Sequence, residues 1–84
     1  MNPQELFATL EQKYQLPQGY LARVYQAESS GGKNLYNEDS GAAGPFQFMP
    51  RTAQSMGLKD PYDLTQSAEA AARLAAQNRA YLQK

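Results

Sequence analysis

Glu28 is the residue whose position most invites chemistry. Leu21, Val24 and Tyr25 mark one face of a helix, and the next step of the same i, i+3, i+4, i+7 spacing lands on Glu28. A carboxylate there faces the negative end of the helix macrodipole and also ends a core-facing stripe. Both effects disfavour its charged form, and a carboxyl tuned in that way holds a proton near neutral pH, as a general acid must. The competing reading is a frayed helix end with Glu28 in water, and position alone does not decide between them. Gln47 and Met49 form a second pair. In Pro45-Phe46-Gln47-Phe48-Met49-Pro50 the alternation fits a short extended piece, with Phe46 and Phe48 on one side and Gln47 and Met49 on the other. An amide that reads polar groups beside an apolar surface that packs on a ring suits a cleft wall. The same pattern also fits Met49 in the core and Gln47 in solvent. Ser40-Gly41-Ala42-Ala43-Gly44 has no bulky side chain, which permits close approach of a ligand to backbone but equally serves a tight turn. Glu38 and Asp39, in the loop after Glu28, read as solvated turn residues or caps unless one acts as a second acid. The tyrosines Tyr14, Tyr20, Tyr25, Tyr36, Tyr62 and Tyr81 could stack on sugar rings, although most read as core or rim residues.

The composition narrows the chemistry these residues can perform. At 84 residues and 9.3 kDa there is room for one small domain. The absence of cysteine and histidine removes thiolate nucleophiles, disulfides, the commonest metal ligand and the commonest neutral-pH base. Lys+Arg 8 against Asp+Glu 8 leaves no uniform positive field for nucleic acid or anionic lipid. There is no apolar run long enough for a membrane span, and the first twelve residues lack the basic start and apolar middle of a secretory signal. Hydrophobic content of 42% suffices for a compact but marginal fold.

The elements that must position these groups are helical. Asn2-Pro3-Gln4-Glu5 reads as a helix start, and Phe7, Leu10 and Tyr14 extend one helix from Pro3 to about Tyr14. Leu16-Pro17 interrupts it, and a second helix follows carrying the stripe that ends at Glu28. From Ser29 to Gly44 turn formers break both periodicities, so an irregular surface connection is expected there. Arg51 to Met56 reads as a short helix admitted by Pro50 and stopped by Gly57. After the turn Asp60-Pro61-Tyr62-Asp63, a long helix runs from Thr65 to Leu82 with Ala68, Ala71, Ala72, Ala75 and Leu82 on its apolar side. The fold class expected is mainly α: a small helical domain with a long irregular loop, or a short β-hairpin, between the second and third helices.

Two blocks carry a family resemblance. Glu28-Ser29-Ser30-Gly31, then Ser40-Gly41-Ala42-Ala43-Gly44-Pro45-Phe46-Gln47-Phe48-Met49-Pro50-Arg51-Thr52-Ala53, resemble the signature of the soluble lytic transglycosylase domain of the lysozyme-like superfamily. Leu16-Pro17 and Asp60-Pro61-Tyr62-Asp63-Leu64 resemble the same family, and the Gly-Pro-Phe-Gln-Phe-Met-Pro form is most like its phage-encoded and virion-associated members. The resemblance implies that Glu28 is the sole catalytic acid. It places Ser29, which follows in the motif, together with Ser40, Gln47 and Met49 among substrate-binding positions. It implies no metal and no cofactor. The family's downstream Ala-Tyr-Asn-Ala-Gly block, with its active-site tyrosine, is absent, and Tyr81 lies on the preceding helix and does not replace it. The chain is therefore expected to hold roughly the first two-thirds of the domain, less than a compact core ordinarily needs. One side of helix 65–82 is then expected to seek a missing segment or a partner chain.

What the resemblance implies is cleavage of peptidoglycan glycan strands between N-acetylmuramic acid and N-acetylglucosamine, at the bacterial cell wall or periplasm, with delivery by a virion or another route that needs no signal peptide. Glu28 would protonate the glycosidic oxygen and then act as base while a 1,6-anhydro ring closes, the substrate's acetamido group assisting. A goose-type hydrolase would instead use Asp39 as a second acid to activate water. The alternative of a different class is a non-catalytic peptidoglycan-binding or structural module of a phage particle or secretion apparatus. Against that alternative stands the expectation that a pure scaffold has no use for a carboxyl at the end of an apolar stripe.

Overall fold

The computed structural model describes residues 2–82, the last four of them by backbone alone. Tyr81 and Leu82 therefore lie outside the described side chains. Helix α1 (Pro3–Lys13) begins where the sequence places it. The Asn2 Oδ1 accepts from the Glu5 N–H at 2.8 Å while the Asn2 amide donates back to the Glu5 carboxylate at 3.0 Å, a reciprocal cap that satisfies one of the helix's unpaired donors. Pro3 occupies the first turn, where its missing N–H costs nothing. A left-handed residue, Gln15, turns the chain after α1, and α2 (Tyr20–Ser29) opens three residues beyond Pro17, after Gly19 at φ +84°.

The described residues then form α3 (Pro50–Ser55) and α4 (Leu64–Leu82). Asp63 caps α4 by accepting from the Gln66 N–H at 2.9 Å, and Gly57 at φ +70° follows α3 as expected. Helix α1 packs on both α2 and α4, and α2 also touches α4. The core is Phe7 and Leu10 from α1, Leu21 from α2, Ala68 and Ala72 from α4, and Phe46 and Phe48 from the long connection. Phe46 reaches between α1 and α2, with ring centroids 5.8 Å from both Phe7 and Tyr25, and Phe7 stands edge-on to Tyr25 at 5.5 Å. Burying a side chain of this size stabilises by about 2 kcal/mol, so Phe46 ties the irregular segment to the helices. The alanine stripe of α4 is found nearly as expected, with Ala68 and Ala72 buried and Ala71 and Ala75 half-buried, while Ala70 and Ser67 are buried in addition. The Ser67 hydroxyl donates to the Pro61 carbonyl, which satisfies it inside the core.

The connection from residue 30 to 49 contains the short hairpin and departs from the expected extended piece. Ala43 bridges Tyr36 on one side and Phe48 on the other, both antiparallel. Ala43 and Phe48 exchange two N–H···O bonds of 3.0 Å, so residues 44–47 form a tight turn between them, closed by Gln47 N–H to Gly44 O at 3.1 Å. Gly44 at φ +86° and Gln47 at φ +51° make that turn possible. A Cβ at residue 44 would fall 1.7 Å from the Pro61 carbonyl oxygen, so only glycine fits beside the turn that leads into α4. The expected sorting of side chains is nevertheless observed: Phe46 and Phe48 are buried, Gln47 is half-buried and Met49 is exposed. The core selects the phenylalanines whether or not the backbone is a strand. No helix among the described residues is long and apolar enough to cross a membrane.

Candidate active site

Helix α2 forms one wall of an open cleft of about 250 Å³. Tyr20, Val24 and Glu28 line it at successive four-residue steps, the spacing that keeps side chains on one helical face. The hairpin turn supplies Gln47 and Met49, α3 supplies Thr52, and α4 closes the far side with Ala71, Leu74, Ala75 and Asn78. A second groove of equal volume lies between the end of α3 and α4, floored by Met56, Leu58 and Ala70 and rimmed by Glu69 and Arg73, with an Arg73 N–H held on the Met56 carbonyl at 2.6 Å. Size does not choose the first, since a groove beside Glu11 and Leu16 is larger at about 360 Å³. The first brings a carboxyl with free oxygens to an apolar surface, and that combination can transfer a proton to a bound ligand.

Glu28 is the only acidic residue lining the cleft among the described residues, and its side chain has no hydrogen-bond or ion-pair partner among them. Its exposure corrects one expectation. The carboxyl does continue the α2 stripe, but the stripe that begins in the core at Leu21 ends at the open cleft, where Glu28 is exposed. The backbone leaves the helix through Ser30, Gly31 and Gly32, all at positive φ, and nothing from that turn covers the acid.

Of the remaining expected site residues, the structure brings Gln47 and Met49 to Glu28 and leaves three elsewhere. The Gln47 amide nitrogen donates to Gly44 O at 2.8 Å and Asn34 O at 3.3 Å, which fixes the amide and pins the turn to the preceding loop. Met49 is 45% exposed and lines the cleft. Ser29 is fully buried at 0% exposure and does not line the cleft. Ser40 lies on the exposed tip between Tyr36 and Ala43, where its hydroxyl accepts from the Ala42 N–H at 3.2 Å, and it does not line the cleft. Asp39 occupies the same tip, with its N–H on Asn37 Oδ1 at 2.9 Å, and is likewise outside the cleft. The Asn37 side chain builds the tip by accepting from both Asp39 and Ser40, the local turn chemistry that Asn favours.

The other cleft residues divide into two groups. Val24 belongs to the stripe that ends at Glu28, and Tyr20, eight positions before the acid, is among the tyrosines that could stack on sugar rings. Thr52, Leu74 and Asn78 carry no such signal, because their place in the wall depends on how α3 and α4 pack.

The chain matches the family described as "Transglycosylase SLT domain" over residues 5–83. It is 36% identical over 74 residues to a protein named "Transglycosylase" from Enterobacteria phage PRD1, an alignment covering 88% of this chain and 28% of that protein. The chain thus spans little more than a quarter of that relative's length, and the phage source agrees with the form of the Gly44-to-Pro50 block. No solved structure gives a significant match. Because the family match runs from the first turn of α1 to the end of α4 and takes in every element that walls the cleft, this chain belongs to the transglycosylase SLT domain family.

Proposed function

We propose that this chain is the catalytic part of a peptidoglycan lytic transglycosylase in which Glu28 alone serves as acid and then base. The observation that carries the proposal is the one carboxyl that lines the cleft among the described residues: Glu28 lines it and Asp39 does not. In the first step the Glu28 carboxyl gives its proton to the oxygen joining N-acetylmuramic acid to N-acetylglucosamine. The bond from C1 to that oxygen breaks, and the N-acetylglucosamine side leaves with a free hydroxyl. The substrate's own acetamido oxygen shares the positive charge that develops at C1, the arrangement that lets a glycosidase work without a second carboxylate. In the second step the muramoyl C6 hydroxyl oxygen bonds to C1 while the Glu28 carboxylate takes its proton. A 1,6-anhydro ring forms, the acid is restored and no water is consumed. Gln47 and Met49 supply a polar and an apolar contact along the glycan.

Digestion of purified cell walls followed by mass spectrometry tests this. Products one water lighter than hydrolysis fragments are expected, unchanged by Asp39→Asn and abolished by Glu28→Gln, whose amide keeps the shape but cannot donate the proton. Reducing ends that disappear on Asp39→Asn would replace the proposal with a goose-type hydrolase. The openness of the cleft and the exposure of Glu28 favour a second reading, a non-catalytic peptidoglycan-binding module. Retention of the native protein on cell walls with no soluble products released would establish it.

A further inference from the structure

We infer that Ser29 is a positioning residue for Glu28, its hydroxyl fastening the last turn of α2 to the loop beyond it so that the neighbouring carboxyl is held toward the cleft. The inference rests on the proposed role of Glu28. An α-helix ends with carbonyls that lack intrahelical partners, and its last turn frays unless something replaces them. Glu28 is the penultimate residue of α2, so fraying there would swing the carboxyl itself. Ser29 prevents this from a site with no solvent exposure. Its hydroxyl donates to the Tyr25 carbonyl at 3.2 Å and accepts from the Gly32 N–H at 3.0 Å. Its own carbonyl receives the N–H groups of Gly32, Lys33 and Asn34 at 3.1, 2.9 and 2.9 Å. The three loop amides on the backbone carbonyl of residue 29 would be kept by any side chain there, so what serine itself adds is the hydroxyl bridge from the Tyr25 carbonyl to the Gly32 N–H.

The loop side of this closure is equally constrained. Gly32 has φ +90°, and a Cβ on it would sit 2.7 Å from the Tyr25 hydroxyl. Tyr25 is wedged against Phe7 and Phe46, so the closure is anchored to the core aromatics. Catalysis by a general acid depends on its orientation as well as its proton, and displacement of about 1 Å can cost on the order of a hundredfold in rate. Alanine would fill the volume of Ser29 without making either hydroxyl bond.

The test is steady-state kinetics of the native protein on soluble glycan fragments. Ser29→Ala is expected to lower kcat by about ten- to a hundredfold with KM changed by less than about twofold, the split that separates positioning from ground-state binding. Ser29→Thr, which keeps a hydroxyl able to bond the carbonyl four residues back, is expected to recover most of the loss. Gly32→Ala attacks the same closure from the loop and carries the test if Ser29→Ala does not fold. Its kcat loss should match that of Ser29→Ala, and the double variant should be no worse than either alone. A rise in KM at unchanged kcat would show that Ser29 contacts substrate, and an unchanged kcat in folded Ser29→Ala would show that it positions nothing. Either result overturns the inference. Full activity in Glu28→Gln overturns it together with the reading it rests on, whereas an inactive Glu28→Gln beside an unimpaired Ser29→Ala removes the inference alone.

Discussion

The two ends of α2 each meet a glutamate, and the two carboxylates have opposite fates. At the N-terminal end, Glu11 of α1 is buried, and its oxygens accept from the Gly19 N–H at 3.1 Å and the Leu21 N–H at 2.9 Å. It supplies the cap that Gly19, which has no side chain, cannot, and it sets a negative charge at the positive end of the helix. At the C-terminal end, Glu28 has its oxygens open to the cleft and sits where the dipole opposes its charge. Both glutamates continue apolar stripes, Glu11 four residues after Phe7 and Glu28 four after Val24. A carboxyl on such a stripe is therefore not by itself a sign of chemistry. Glu11 shows that a scaffold has a use for one, which corrects the expectation set against the non-catalytic alternative. What separates the two is whether backbone donors already occupy the oxygens.

Exchanging the fates of the two glutamates gives the largest effects. Glu28→Ala is expected to abolish glycan cleavage, a loss of at least about a hundredfold, while unfolding free energy stays within about 0.5 kcal/mol of the parent because an exposed, unpartnered group is removed. Glu11→Ala should do the reverse in stability: two donors lose their acceptor, one of them buried, at a cost of about 3 kcal/mol. In a domain this small that lowers the melting temperature by roughly 15 °C, read by circular dichroism. Glu11→Gln sharpens the contrast, since one carbonyl oxygen survives to accept one of the two N–H groups while the other faces an NH2 that cannot accept, and the charge at the helix end is lost, so about 2 kcal/mol is expected in urea denaturation. The smallest effect belongs to the cleft rim. Met49→Ala should leave stability within about 0.5 kcal/mol and raise KM for glycan by about threefold, because the side chain is half in water before substrate arrives. A stability loss as large as that of Glu11→Ala would place Met49 in the core instead.

Much of this arrangement was legible because it is local. Asn2, Pro3 and Glu5 announce α1 through bonds made within three residues, and Gly57 marks the end of α3. The stripe to Glu28 and the sorting of Phe46 and Phe48 from Gln47 and Met49 follow from side-chain periodicity. The rest depends on partners distant in the chain. The tight turn at residues 44–47 exists because Ala43 pairs on both sides and Gly44 meets Pro61, neither of which shows in the segment itself. Ser40 matches a family position but is held at the hairpin tip by Asn37, and Ser29 reads as polar and accessible until its bonds to Tyr25 and Gly32 are seen. Glu11 passed unnoticed because only the approach of α2 gives it a role.

The packing of α1 on α4 has a consequence for how the protein is made. Residues 3–13 are synthesised well before residues 64–82, yet Phe7 and Leu10 share a core with Ala68 and Ala72. Loop-closure entropy grows slowly with separation, so the delay is set by translation more than by the search, and at about ten residues per second the first helix waits several seconds for the last. During that interval the nascent chain displays an amphipathic helix and three core aromatics without their cover, the condition in which a hydrophobic segment recruits a chaperone or a neighbouring nascent chain. Slowing translation across residues 56–70 should lower soluble yield, and a chaperone that captures short apolar helices should restore it.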